Sequence, residues 1–252
     1  MTPPKPAPLI SIITVCFNAR RHIEALLDNV ALQTYPALEH ILVDGGSTDG
    51  TLEIIRNRMA QVGTLISEPD QGLYDAMNKG MAAARGEYLF FLNADDELES
   101  PDTLERALAQ MPGADGYYGE VMFMDGSGKP LGLRSTRTPQ RVPEQLSWKS
   151  LRRGMVVSHQ AFIVRRSLAP PFDLRYRVAS DIDWMIRCLK SCKTLCNTHQ
   201  VITRFRTGGL SKAKQRLAWR ERFLILSRHF GFWPNLVDHG IIILRYFRNP
   251  RY

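Results

Sequence analysis

A recurring junction between an apolar run and a polar turn dominates the first hundred residues of this chain. Residues 89–97 read Leu-Phe-Phe-Leu-Asn-Ala-Asp-Asp-Glu, so a run suited to a buried strand ends abruptly in clustered acids. Three earlier apolar runs, at 9–17, 41–43 and 64–66, also end in polar turns. The sequence therefore predicts four strands that each deliver polar side chains to a turn.

Helical patterns separate the four strands, because apolar residues recur there at a spacing that places them on one helix face. Alternating strands and helices predict an α/β fold with a parallel sheet, in which right-handed crossovers bring the carboxyl ends of the strands to one edge. We therefore expect the four polar turns to form one site. The apolar positions are Ile23, Leu26, Leu27 and Val30, then Leu52, Ile55 and Met59, then Leu73, Met77 and Met81.

The length of 252 residues suits an α/β domain with a substantial core. Residues 1–8 include four prolines and lack the basic-then-apolar order of a secretory signal, so we expect a disordered leader. No apolar run approaches the roughly 20 residues that cross a bilayer. These features predict a cytoplasmic protein that begins to fold near residue 9.

The net charge of +8 is concentrated at the end of the chain, where 11 Lys/Arg and two Asp/Glu follow residue 200. We interpret residues 212–252 as a basic, aromatic helical tail. It would suit peripheral contact with the anionic inner face of the cytoplasmic membrane, or a helix that packs on the core with a solvated basic face. Nucleic acid is not an expected partner, because no recognisable binding module accompanies the charge.

The cysteines allow two interpretations. Cys188, Cys192 and Cys196 lie near His199 in the sequence, which would suit a metal ion, but the spacing fits neither a zinc ribbon nor a common cluster motif. We favour buried thiols for these three and for Cys16 in the first strand.

The polar turns carry the chemistry. In the turn at 44–51 the glycines permit close approach to a ligand, with Asp44 the expected contact and Asp49 an expected helix cap. The turn at 93–96 offers oxygen ligands of the kind that magnesium and manganese prefer, although an acidic helix start would explain it without metal. Neither a Gly-x-Gly-x-x-Gly nor a Walker-type motif occurs, which counts against a dinucleotide oxidoreductase and a P-loop kinase.

Four blocks of the sequence together resemble family 2 glycosyltransferases. They are Ile-Ile-Thr-Val-Cys-Phe-Asn at 12–18, Val-Asp-Gly-Gly-Ser-Thr-Asp-Gly-Thr at 43–51, Glu-Pro-Asp-Gln-Gly-Leu-Tyr-Asp-Ala-Met-Asn-Lys-Gly at 68–80 and Leu-Asn-Ala-Asp-Asp at 92–96. The third block and Ser-Asp-Ile-Asp-Trp at 180–184 are most similar to bacterial members that build exopolysaccharide or O-antigen repeats. The resemblance covers residues 9 to about 211 and is strongest over 9–98.

The resemblance implies a GT-A fold over 9–211, with a donor half at about 9–125 and an acceptor half at about 126–211, and we expect a hairpin turn at 125–128 between them. It implies inverting transfer from a nucleotide-diphosphate sugar to an acceptor hydroxyl. Asp95 would ligate the Mg²⁺ or Mn²⁺ that bridges the diphosphate. The substrate contacts expected with it are Phe17, Asn18, Asp44, Ser47, Asp70, Gln71, Gly72, Tyr74, Asn78, Lys79, Asn93, Ala94, Asp96, His159, Asp183, Gly208 and Gly209.

The catalytic base is expected at 180–184, where the family carries an acidic pair at a helix start. We assign Asp181 as the base and Asp183 as second choice, with Ser180 where many relatives have Glu. The alternative from the residues alone is that Ser180 caps the helix and both acids complement its dipole. His159 matches a His-Gln stretch in similar proteins, and its alternative role is a hydrogen-bonded structural histidine.

We therefore expect hexosyltransferase-type addition of one sugar to a glycan or polyprenyl-linked acceptor in bacterial surface polysaccharide biosynthesis. A processive polymerase is not expected, because Ala218 replaces the arginine in the Gln-x-x-Arg-Trp-like stretch at 215–219. Two rivals are a nucleotide-sugar-binding protein that no longer transfers, suggested by Asn93 and Ser180, and a nucleotidyltransferase on a similar sheet.

Overall fold

A mixed sheet carries the strand–turn junctions that the sequence predicts. The computed structural model describes residues 6–208 and 214–248, and the backbone alone over 242–248. Four parallel strands lie in the order β3-β2-β1-β4, which confirms the α/β fold and the mostly parallel sheet. They are β1 (Ile10–Cys16), β2 (Leu38–Asp44), β3 (Thr64–Ser67) and β4 (Tyr88–Phe91).

The sheet continues past β4 without a break. Beyond it lie, in order, β8, β6, β9 and β5, with β7 paired to β6 as a hairpin. The predicted turn at 125–128 connects β6 to β7, so it lies inside the second part of the sheet and not between two separate halves. These strands are β5 (Glu97–Leu98), β6 (Gly116–Met124), β7 (Pro130–Leu133), β8 (Phe162–Arg165) and β9 (Leu195–Arg206).

The helices bury the faces that their apolar spacing predicts, with one correction: α2 ends before Met59, which lies in a 3₁₀ turn and is 39% exposed. The α-helices are α1 (Ile23–Ala31), α2 (Thr51–Asn57), α3 (Leu73–Ala83), α4 (Thr103–Ala109), α5 (Arg134–Arg137), α6 (Ser180–Ser191), α7 (Gln215–Phe230) and α8 (Phe232–Arg248). Short 3₁₀ turns lie at Met59–Gln61, Trp148–Arg153, His159–Ala161 and Arg166–Leu168.

Strand register aligns the polar turns at one edge of the sheet. Cys16 at the end of β1 lies opposite Asp44 of β2, and Asp44 lies opposite Ser67 of β3. On the other side of β1, the amide of Leu92 donates to the carbonyl of Ile13 at 3.0 Å. The turns that follow β1, β2, β3 and β4 therefore begin at one level.

Helix α7 belongs to the folded domain. Ile225 and Leu226 are fully buried in the core, and the buried carboxylate of Glu221 accepts hydrogen bonds from the backbone amides of residues 177–179 at 2.8 to 3.0 Å. In α8, the buried Asp238 pairs with Arg152 and Arg153. Both helices of the predicted tail thus pack on the rest of the chain. This is the arrangement expected for a helix that packs on the core with a solvated basic face.

The predicted leader is only partly within the described residues. Residues 1–5 lie outside them, whereas the carbonyl of Pro8 accepts a hydrogen bond from the Tyr35 hydroxyl at 2.8 Å. Contact with the fold thus begins at Pro8, one residue before the predicted start.

We expect Glu221→Gln to lower the free energy of unfolding by about 1–3 kcal/mol, because the amide of glutamine would turn an NH₂ group toward backbone donors in a buried position. Denaturant unfolding followed by circular dichroism measures the difference. Glu53→Gln is the matched control, since Glu53 is exposed on α2 and its substitution should change stability by less than about 0.5 kcal/mol. Equal stability of the two variants would contradict the assigned role of Glu221.

Candidate active site

A cleft of about 730 Å³ opens at the edge where the parallel strands end. Its walls come from the turns after β1 and β4, the start of α6, the end of β9 and one face of α7. Of the predicted site residues, the lining includes Phe17, Asn18, Tyr74, Asn93, Ala94, Asp95, His159, Asp181 and Gly208. Gly209 lies outside the described residues.

Asp181 is held in this cleft by two side chains from other parts of the fold. The Tyr74 hydroxyl, on α3, lies 3.2 Å from Oδ1 of Asp181 and 3.0 Å from the carbonyl of Val178, so its one hydrogen is shared between two acceptors. Nδ1 of His159 lies 3.2 Å from Oδ2. Because a carboxylate only accepts, Nδ1 of His159 carries the hydrogen. Burial and the charge of Asp181 raise the pKa of Tyr74 well above its usual value, so its hydroxyl stays a donor. The carboxylate is fixed while part of it faces the cleft.

The contacts at the start of α6 differ between Ser180 and Asp181. Ser180 is the first residue of α6, and its hydroxyl donates to the carbonyl of Asp173 at 2.9 Å and not to a free amide of the helix. Asp181 is bound across the cleft by Tyr74 and His159. Oδ1 of Asp181 also accepts from the amide of Ile182 in the first turn of α6 at 3.0 Å. Its position is therefore set by tertiary contacts together with the start of its own helix.

The turn at 93–96 contains oxygen atoms without partners. Oδ1 of Asn93 and Oδ2 of Asp96 are buried and accept no hydrogen bond from the described part of the chain, while Asp95 lines the cleft. Burial and the neighbouring charge of Asp95 raise the pKa of Asp96 well above its usual value. Strand β5 follows directly and α4 begins only at Thr103, so these acids do not mark a helix start.

These oxygens fit a hard divalent cation. Asp95 contributes a carboxylate, and the unpartnered oxygens of Asn93 and Asp96 lie in the same turn. Over residues 6–208 and 214–241, no three His, Cys, Asp or Glu side chains converge into a ligand cluster. A cation here would thus take few protein ligands and complete its shell with phosphate oxygens and water, as Mg²⁺ commonly does.

The three turns on the donor side are tied to one another. The amide of Asn18 donates to Oγ of Ser47 at 2.8 Å, and Oδ1 of Asn18 accepts from the amide of Thr48 at 2.9 Å. Asp44 is fully buried, and its carboxylate accepts from the amide of Ser47 and from the hydroxyl of Ser67. Asp44 therefore shapes the turn and does not line the cleft as expected, and Ser47 likewise joins two turns.

Gly45 brings the turns after β2 and β3 together. A Cβ atom at this position would overlap the carboxylate of Asp70. Oδ1 of Asp70 accepts from the amide of Gly72 at 2.8 Å, and Gly72 itself has a φ of 119°, which favours glycine. Asp70, Gln71 and Gly72 thus form a partly exposed rim next to the cleft.

Several predicted contacts lie elsewhere and have structural partners. The side chain of Asn78 exchanges hydrogen bonds with the backbone of Phe172 at 2.7 and 3.0 Å. Lys79 binds Glu68 at 2.8 Å and the carbonyl of Pro69. Neither side chain lines the cleft. Asn78 ties α3 to the segment around Phe172, and Lys79 ties α3 to the turn at 68–70.

Asp183, the second choice for the base, has partners within the fold. It is fully buried, and its carboxylate binds Arg187 at 2.6 Å and His229 of α7 at 2.7 Å. Burial raises its pKa, but the bonds from His229 and Arg187 outweigh burial and leave that pKa below its usual value. Its side chain joins α6 to α7 and does not reach the cleft, so it is not the alternative base. Asp96, buried behind Asp95, likewise does not line the cleft.

Sequence reasoning missed the contribution of the last helices and of β9. Arg134 of α5, Arg206 of β9 and Arg222 of α7 add positive charge to the lining, and Trp219 of α7 adds an indole ring. The signal in the sequence was the partial Gln-x-x-Arg-Trp-like stretch, of which Gln215, Ala218 and Trp219 all line the cleft.

The cysteines lie away from this cleft except for Cys16, which ends β1 on its floor. Cys188 and Cys196 are buried, Cys192 is half-buried and all four are free thiols. His199 is exposed and lies 3.5 Å from Glu144.

A sequence model of the family described as "Glycosyl transferase family 2" matches residues 11–169. The chain therefore belongs to glycosyl transferase family 2. It is 34% identical to a "PGL/p-HBAD biosynthesis glycosyltransferase" of Mycobacterium bovis over 94% of this chain and 95% of the relative. The family and this similarity identify the chain as a glycosyltransferase.

Solved structures of other proteins show the same fold. Residues 1–349 of S. aureus TarS in complex with UDP superpose with a TM-score of 0.68 at 18% identity, over 87% of this chain and 64% of that chain. The mannosyltransferase PcManGT from Pyrobaculum calidifontis, in complex with GDP-Man and Mn²⁺, gives a TM-score of 0.64 at 18% identity, over 98% of this chain and 83% of that chain. The predicted GT-A fold is confirmed.

We expect Gly45→Ala to weaken binding of a nucleoside diphosphate by about tenfold or more, because the added methyl group displaces the Asp70 carboxylate from the rim, and a hydrogen bond to a charged group is worth about 1.5–3 kcal/mol. Isothermal titration calorimetry measures the affinity. Gly126→Ala is the matched control, since a Cβ atom there meets nothing within 4 Å. Unchanged affinity in Gly45→Ala would remove Asp70 from the candidate site.

Proposed function

We propose that this enzyme transfers one sugar from a nucleotide-diphosphate sugar to a hydroxyl of a glycan or lipid-linked acceptor, with inversion and with Asp181 as the base. The observation that carries the proposal is the Asp181 carboxylate, which Tyr74 and His159 fix in the same cleft as Asp95. The cleft thus combines a positioned proton acceptor with an oxygen-rich turn suited to a cation.

The reaction needs a group that removes the acceptor proton as the acceptor oxygen attacks the anomeric carbon. Asp181 would take that proton, while the bond from the anomeric carbon to the diphosphate oxygen breaks and the electron pair leaves with the diphosphate. A positioned base contributes about 10²–10⁴ in rate. A divalent cation held by Asp95, with Asn93 and Asp96 beside it, would stabilise negative charge on the leaving diphosphate.

The comparisons support the donor class and the cation. TarS was solved with UDP, and PcManGT with GDP-Man and Mn²⁺. We therefore propose a nucleotide-diphosphate sugar as donor and Mg²⁺ or Mn²⁺ as cofactor. The biosynthetic name of the mycobacterial relative supports a role in assembling a glycan, which we propose to be a bacterial surface polysaccharide.

The binding-protein rival is weakened by the contacts of Asp181. Ser180 and Asn93 replace acids that are common in the family, but neither substitution disturbs the carboxylate between Tyr74 and His159. A protein that merely held a nucleotide sugar would not need this fixed proton acceptor. We therefore favour an active transferase.

We expect Asp181→Asn to lower donor turnover by about 10²–10⁴ while nucleoside diphosphate still binds, because only the proton acceptor is lost. Turnover, including transfer to water, is measured by release of UDP or GDP from a panel of donor sugars. Binding is measured by the thermal shift with UDP or GDP and Mn²⁺, which should approach 2.7 kcal/mol at about 100 times the dissociation constant.

Asp95→Asn is the paired variant, and it should lose the Mn²⁺-dependent part of the thermal shift. Normal turnover in Asp181→Asn would exclude Asp181 as the base. If the wild-type protein binds nucleoside diphosphate but releases none from any donor sugar, the protein is a nucleotide-sugar-binding protein and our proposal is wrong.

We further propose that the enzyme works at the inner surface of the cytoplasmic membrane, bound there through its last two helices. Within residues 6–208 and 214–248, no helix is long and apolar enough to cross a bilayer. Contact would therefore be peripheral, and a polyprenyl-linked acceptor would be presented at the same surface.

A basic stripe on α7 supports this contact. Arg216, Arg220, Leu224 and Arg228 follow at a spacing of four and are all exposed. Like charges at this spacing destabilise a helix. Arg228 is paired with Asp173 at 3.3 Å, whereas Arg216 and Arg220 have no acidic partner within the described residues. An anionic lipid surface would neutralise the stripe, and each arginine would contribute about 1 kcal/mol.

An apolar patch on α8 complements the stripe. It consists of Phe232, Trp233, Leu236 and Val237, whose spacing places them on one helix face, and Trp233 is 74% exposed. Aromatic and aliphatic side chains of this kind insert at the headgroup boundary. Contacts between Phe223 and Phe232 join the two helices.

We expect the double variant Arg216→Gln/Arg220→Gln to bind phosphatidylglycerol vesicles about 2 kcal/mol, or roughly thirtyfold, more weakly than the wild type. Vesicle cosedimentation measures the difference, with phosphatidylcholine vesicles to separate charge from apolar contact. Trp233→Ser/Val237→Ser should weaken binding to both vesicle types. Point variants are required, because deletion of α7 would remove Ile225 and Leu226 from the core.

Arg56→Gln/Arg141→Gln is the matched control, since both side chains are exposed and lie outside the two helices. An equal loss of binding in this control would indicate general charge attraction and exclude a docking surface on α7. Wild-type protein that does not sediment with anionic vesicles would exclude membrane contact.

A further inference from the structure

Arg222 of α7 is a cation without an anionic partner in the described part of the chain. Its guanidinium lines the cleft, and none of residues 6–208 or 214–241 gives it a hydrogen bond or an ion pair within 4.0 Å. The side chain is half-buried. Its carbon Cζ lies 3.7 Å from the position that a Cβ atom would take if one were added to Gly154. A guanidinium in such a position usually has a planar anion as its partner.

The surroundings of Arg222 are positive. Arg134 lines the same cleft and lies close enough for the two charges to interact unfavourably. The guanidinium of Arg134 is already occupied, because it donates to the carbonyls of Met155 and Val156. Burial lowers the pKa of Arg222, and the charge of Asp181 partly offsets this. The charge of Asp181 thus offsets only part of the cost of burying Arg222, and no direct hydrogen bond or ion pair within the described residues offsets the rest.

The neighbouring residues of α7 leave room for a ligand. Ala218, one helical turn before Arg222, lines the cleft with only a methyl group, and Trp219 presents part of its ring there. Residues four apart lie on the same helix face. The space above Ala218 is therefore open to a group that Arg222 can reach.

We propose that Arg222 binds a phosphoryl oxygen of a substrate in the cleft. This inference rests on the proposed function and adds a residue and a ligand chemistry to it. A forked guanidinium matches the geometry of a phosphoryl group, and the open face at Ala218 accommodates one. Two substrates carry such a group. The donor carries a diphosphate, and a lipid-linked acceptor carries a phosphate.

The test compares probes that differ only in phosphate. The donor pair is UDP or GDP, whichever stabilises the wild type, against its nucleoside, and the acceptor pair is farnesyl phosphate against farnesol. Arg222→Gln should weaken binding of one phosphate probe by about tenfold or more and leave its phosphate-free partner unchanged. Arg222→Lys, which keeps the charge but not the fork, should recover part of the loss. The probe that weakens identifies the source of the phosphate.

Arg56→Gln removes the same charge from an exposed position on α2 and should bind every probe as the wild type does. The inference is overturned if both phosphate probes bind Arg222→Gln normally, or if the phosphate-free probes weaken equally. In the first case the proposed function stands, provided that Asp181→Asn still loses turnover. If the wild type binds no phosphate probe, the inference and the donor site fail together.

Discussion

The site depends on the parallel pairing of β1 with β2 on one side and with β4 on the other. Parallel strands with right-handed crossovers end at the same edge, so the backbone ladder itself brings the turns at 17–18, 44–48 and 93–96 together. Hydrogen bonds of the Asn18 and Ser47 side chains then join the first two of these turns, and Asp44 holds the second turn from within. The register of the strands therefore determines where the side chains of the individual turns lie.

A second constraint acts on the base. Asp181 lies at the start of α6 and accepts from the amide of Ile182 there. Tyr74 of α3 and His159, in the 3₁₀ turn before β8, contact the same carboxylate from other parts of the fold. The loop before it is held by Glu221 of α7 through three backbone amides. Three elements far apart in the sequence thus determine one carboxylate, so its geometry is a property of the whole domain and not of a local motif.

Much of the fold could be predicted from the sequence, because apolar periodicity and polar turn residues are local signals. The strands β1 to β4, the helices α1 and α3 and the shared edge follow from such signals. The roles of Asn78, Lys79 and Asp183 could not be predicted in this way. Each of these residues lies in a segment that resembles a binding motif. In the structure, however, Asn78 bonds to Phe172, Lys79 to Glu68 and Asp183 to His229, and every one of these partners lies more than ten positions away in the sequence. The sequence gives no direct sign of which polar side chain has such a partner.

Helix α7 shows why the amino-acid composition of a segment does not reveal where each of its side chains lies. Its average character is basic, which suggests a tail that merely attracts an anionic surface. The structure separates that character by position: Ala218, Trp219 and Arg222 line the cleft, Ile225 and Leu226 are buried in the core further along the same side, and Arg216 and Arg220 are exposed. Because one helix carries both the cleft residues and the exposed arginines, a surface that binds Arg216 and Arg220 would also have a defined position relative to the cleft. A lipid-linked acceptor would then meet the base at a height above the membrane that the helix itself determines.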